Sequence, residues 1–145
     1  MMDHPRMIGW RSRVHAMTSP ILHAPLAWGS NDCIRLVRMA SLAITGHDPA
    51  QAVQITKLPP YTTAKEAVRA LQEMGYSDLP ALLDDIFHRK PHTHTLLGDL
   101  AITNDQRLAA GITCNGKAYF IGDGAPTYRS LDNNITAWDT TKWRS

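Results

Sequence analysis

The chain has 145 residues, 43% of them hydrophobic and 19% charged, with a formal charge of +2. Its length fits one core of ordinary domain size, so residues 1–145 read as a single domain, and its composition excludes the polar, highly charged class that stays disordered. Basic residues are scattered, which argues against nucleic acid as a partner, and no apolar run approaches the roughly 20 residues that a bilayer span requires.

Met7, Trp10, Val14 and Met17 recur at helical spacing and predict a first helix between Pro5 and a stop at Ser19-Pro20. Pro20, Pro25 and Gly29 punctuate the loop that follows. Asn31 or Asp32 can cap a second helix, whose broad apolar face runs from Ile34 to Ile44 and which Gly46 closes; so wide a face predicts a central, mostly buried element. A short helical or extended piece is expected from Ala50 to Ile55, ending in the irregular Pro59-Pro60. Thr63-Ala64-Lys65-Glu66 is a capping-box pattern that opens a third helix, with Gly75 at its end. Asp78-Leu79-Pro80 opens a fourth, which the apolar spacing carries to about His88 before Pro91 forbids more.

From Asp99 the period becomes extended. Asp99 to Thr103, Leu108 to Cys114, Lys117 to Ile121, Thr127 to Leu131 and Ile135 to Trp138 are β-prone runs separated by turn residues, and Asn115-Gly116 is the strongest hairpin signal among them. Helices followed by hairpin-linked strands predict an α+β fold, with N-terminal helices packed on a small antiparallel sheet. Trp138 is expected to close the core. Trp143 fits equally a packed rim or an exposed binding residue.

Two cysteines, Cys33 and Cys114, do not make a disulfide framework, and both are expected as free thiols. The first six residues lack a secretory pattern, so synthesis and residence in a cytosol are expected. Cys33 follows Asp32 at a helix start, where orphan N–H groups and the macrodipole favour a thiolate, so it is the candidate nucleophile; a buried, inert side chain is the ordinary alternative. His88, His92 and His94 could supply a base or metal ligands, but Pro91 breaks the helical face that a metal site would need, and a solvated loop is the plainer reading. No metal and no cofactor is assigned.

The run Pro25-Leu26-Ala27-Trp28-Gly29-Ser30-Asn31-Asp32-Cys33, with Gly98-Asp99-Leu100 and Gly111-Ile112, resembles the NlpC-type cell-wall peptidases, a branch of the papain-like cysteine peptidases. Adding Thr45-Gly46-His47-Asp48-Pro49 and Ala137-Trp138, the chain is more closely similar to small tail-assembly proteins of tailed bacteriophages that share this core. The resemblance covers roughly Trp10 to Trp138 and implies a papain-like core. It also implies that the catalytic histidine position falls on Ala109, which cannot move a proton. The next strand, Ala118-Tyr119-Phe120-Ile121, offers no side chain to orient a base, and the usual Cys-Ser-Gly reads Cys33-Ile34-Arg35.

The favoured expectation is therefore a degenerate peptidase, with Cys33 vestigial, acting as a structural part of a phage tail tip or baseplate. Its partners would be other tail proteins, with peptidoglycan as a further class, and it would enter the virion after assembly in the host cytoplasm. The alternative is an active cysteine endopeptidase cutting peptidoglycan stem peptides or a tail protein, with His92 or His94 as substitute base. A ligand- or metal-binding module built on the histidine loop is the third reading.

Overall fold

The computed structural model describes residues 2–51 and 58–144, so the sequence expected to be helical or extended up to Ile55 lies largely outside the described residues. Among the described residues four α-helices form, the first where apolar spacing predicts it and the other three where caps do: α1 (Trp10–Leu22), α2 (Cys33–Thr45), α3 (Ala64–Glu73) and α4 (Leu79–Ile86). Asp32, Thr63 and Asp78 each accept, at the start of α2, α3 and α4, the backbone N–H three residues on. Such a cap contributes about 1 kcal/mol. Glu66 returns not to Thr63 but one residue further back, accepting from both N and Oγ1 of Thr62 at 3.0 Å.

Two helix ends differ from expectation. Helix α1 passes through Pro20 to Leu22. A proline in the last turn removes one N–H from a ladder that is about to end, and burial of Ile21 and Leu22 in the core outweighs that loss. Helix α4 stops at Ile86, two residues before His88, because Phe87 turns to extended backbone and starts a strand.

The sheet holds seven strands among the described residues: β1 (Met2–Asp3), β2 (Phe87–Lys90), β3 (Leu100–Thr103), β4 (Ala110–Cys114), β5 (Lys117–Phe120), β6 (Thr127–Ser130) and β7 (Ile135–Trp143). Their order is β1-β7-β3-β4-β5-β6, with β2 also on β7, and every pairing is antiparallel. The fold is thus α+β, although β1 precedes the helices, β2 follows α4 directly, and β7 extends five residues past Trp138. Asn115 (φ 51°) and Gly116 (φ 77°) form the tight β4–β5 turn, since two successive positive φ values suit Asn-Gly.

Helix α2 packs on α1 and against β4 and β7. Its buried face, Leu36, Val37 and Ala40, joins Leu82, Leu83 and Ile86 of α4 and Leu100, Ile112 and Trp138 of the sheet in one core. Ala101, Ala118, Phe120 and Ile135, from β3, β5 and β7, form a smaller buried cluster apart from the main core. Trp138 is fully buried and Trp143 is 3% exposed, so both tryptophans belong to the interior.

Candidate functional site around Cys33

Residues 23–32 are shaped to deliver Cys33. The Asn31 amide reaches the carbonyls of Ile21 (3.0 Å), Ala24 (3.3 Å) and Pro25 (3.1 Å), tying the loop back to the end of α1. The Asp32 carboxylate does three things: Oδ1 caps Arg35 N–H at 3.2 Å, while Oδ2 accepts Gly29 N–H at 2.9 Å and the Tyr61 hydroxyl at 2.6 Å. Gly29 sits at φ 86°, and a Cβ there would run into the carbonyl of Tyr61. Only glycine lets the two segments close on each other.

Cys33 is buried, and its Sγ donates to the carbonyl of Leu108 at 3.3 Å. Burial pushes the thiol up to about 12, helped by the neighbouring charge of Asp32, and the backbone N–H groups of Ala110, Cys33 and Ile34 only partly oppose it. The helix-terminal effect expected from sequence is present, but desolvation is larger and the sulfur holds its proton. Burial and the bond to Asp32 raise Tyr61 as well, so its phenol is a donor and not a base.

A cavity of about 400 Å³ opens beside the sulfur, walled by Leu26, Trp28, Leu108, Phe120 and Ile121, with Gln106, Arg107 and Thr127 contributing polar groups. Arg107 is held by Asp78 at 2.7 Å. Ala109, the position where a catalytic histidine was expected on resemblance, lines this cavity too, and it packs against the Ala101–Phe120 cluster.

The loop histidines do not come to Cys33. His88 is in β2, opposite Asp139, and borders a shallow cleft with Asp84, Arg89 and Arg144. His92 and His94 form a single 3₁₀ turn, where His92 Nε2 meets Asn133 Oδ1 at 3.3 Å and His94 is exposed. Strand β2 pairs antiparallel with β7, and so commits the chain around His88 to the sheet rather than to the cavity beside Cys33. Among the described residues, no three His, Cys, Asp or Glu side chains are grouped to hold a metal. His23 turns back on Ser19, and His4 stacks on His47. Cys114 is half-buried and unpaired to sulfur.

Tyr61 and the Leu108 carbonyl were not legible as site groups in the sequence. The first is marked only by its place after Pro59-Pro60, and a backbone carbonyl carries no side-chain signal.

Fold and site define an α+β domain in which a capped helix presents a buried, protonated thiol to the backbone leading into an antiparallel sheet. A family model matches residues 5–140, nearly the whole chain, and the chain belongs to that family, a domain of unknown function (DUF6950). Comparison with curated proteins and with solved structures gives no match.

Proposed function

We propose that this domain is a non-catalytic structural component of a bacteriophage tail tip or baseplate, assembled in the host cytoplasm and carried in the virion, in which a peptidase-like frame docks against other tail proteins. The observation that carries the loss of chemistry is the sulfur of Cys33. Its S–H donates a hydrogen bond to the Leu108 carbonyl, and none of the seven histidines lines its cavity. A nucleophilic thiol needs a base within about 2.6–3.2 Å.

The tail context rests on the motifs that resemble tail-assembly proteins, and several of those motifs have a mechanical task. Asp32 caps α2 and clasps Gly29 and Tyr61, while Asp48 grips Arg38 through two bonds of 2.9 and 3.1 Å. Asp99 is buried under Lys90, and Gly111 makes room for the Phe120 ring and the Tyr119 carbonyl. Retention of residues that hold the frame, with alanine at the base position, supports a frame kept for its surface.

The test has two arms. Purified tail particles are probed for the chain by mass spectrometry, and the purified protein is incubated with peptidoglycan beside its Cys33→Ala variant. The expected result is stoichiometric presence in particles and no hydrolysis above the variant. Cleavage that depends on Cys33, or absence from finished particles, overturns the reading.

A further inference from the structure

Residues 2–8 form a strap across the molecule. Met2 and Asp3 pair with Trp143 and Lys142 of β7, His4 N–H donates to the Thr141 carbonyl at 2.9 Å, and Met7 N–H donates to the Ile44 carbonyl at 2.7 Å, near the end of α2. Midway along the strap the His4 ring lies on the His47 ring, with centroids 4.0 Å apart and planes 35° from parallel, and it also meets the Trp143 ring in a T-shaped arrangement with centroids 4.5 Å apart. We propose that the stacked His4–His47 pair is an acid-sensitive latch that holds the N-terminal strap closed while the rings are neutral and releases it when both carry protons.

Two neutral imidazoles stack as aromatic rings, whereas two imidazolium ions at this spacing repel each other. The charges around the pair decide how much of that repulsion is cancelled. On the strap, Asp3 is engaged by Lys142 at 2.8 Å, and Arg6 adds a positive charge two residues from His4. Beyond His47, Asp48 is occupied by Arg38 at 2.9 Å. On β7, Asp139 is bound to Lys90 at 3.2 Å, and β2 brings His88 opposite Asp139 and the uncharged Phe87 against Trp143. Among the described residues each of these carboxylates already has a cation, which leaves only part of its charge to offset a second imidazolium.

The closed strap holds His4 below its ordinary value of 6.5, first through burial and then through the charge of His47, with Asp3 opposing. In the released strap His4 returns to that ordinary value and binds a proton more readily. Release therefore takes up protons, and the closed form loses ground as pH falls below 6.5.

Hydrogen exchange at the His4 and Met7 amides, corrected for the intrinsic pH dependence of exchange and compared at about pH 7.5 and about pH 5.5, reads the latch directly. Protection of both amides is expected to fall roughly fivefold or more at the lower pH, the factor that one like-charge contact at this distance gives in water, while β3 and β4 stay protected. His4→Phe keeps a ring in the stack without a proton site, and His47→Gln at the exposed position removes the opposing charge; either variant is expected to hold its protection at the lower pH. Equal protection of the wild type at both pH values, an undiminished loss in a folded variant, or loss that spreads to β3 and β4 would overturn the proposal.

Discussion

Cys33 is a residue on which two ordinary effects compete. A helix start favours the thiolate, and removal from water favours the thiol; the second is larger because the sulfur is enclosed and its hydrogen-bond partner is a carbonyl, which accepts only from S–H. The acid form is thus bound more tightly in the folded chain than in the unfolded one, where a thiol ionises near 9.0. Stability from this group is complete below that value and is lost as pH rises through it toward about 12. Thermal unfolding of the wild type is expected to drop more steeply above about pH 9 than that of Cys33→Ala, and iodoacetamide at about pH 8 should label Cys114 well before Cys33. A wild type that parallels the alanine variant into the alkaline range would refute the assignment. The sequence located Cys33 and its cap, but the direction in which the thiol moves is set by burial, and the chain that encloses the sulfur includes Leu108, 75 positions away.

At the scale of elements, β7 organises the sheet, and a buried ion cluster fixes it in place. Asp99 is wholly buried; it accepts Lys90 Nζ at 2.7 Å, Leu96 N–H at 2.9 Å, and both N–H and hydroxyl of Thr140 at 3.2 Å, while Lys90 also reaches Asp139. One lysine therefore joins β2, the start of β3 and the second half of β7. Lys90→Met leaves Asp99 enclosed without its cation, and the expected cost is about 3–5 kcal/mol, measured as a lowered urea midpoint. A loss below about 1 kcal/mol would mean that the backbone donors alone satisfy the carboxylate.

The same cluster explains which elements the sequence concealed. Helices α2, α3 and α4 carry local caps, and the β4–β5 hairpin carries Asn-Gly, so short-range chemistry announces them. Phe87 continues the helical spacing of Leu82, Leu83 and Ile86, which masked β2, and Asp139-Thr140-Thr141-Lys142 reads as a polar tail. Those residues become strand through long-range pairing, β2 and β1 against the second half of β7, with Asp99 and Lys90 bonding Thr140 and Asp139. Pro20 misled for the converse reason, since long-range burial of Ile21 and Leu22 carried α1 past a local stop signal.

Over the whole molecule, the helices and one face of the sheet share the main core, and the N-terminal strap binds the end of β7 to the end of α2. Because Met2 stands opposite Trp143 in register, the two backbones there are only about 5 Å apart, the ordinary spacing across an antiparallel ladder. A linker of a few glycines and serines could join them into an unbroken ring, and the ring could be reopened in the exposed turn at Asp123-Gly124, between β5 and β6. Such a circular permutant should retain the native circular dichroism spectrum and the same slow alkylation of Cys33. Tethering would also keep β1 beside its partner strand at any acidity, so the rearranged chain separates strap release from the rest of the protein's response to pH.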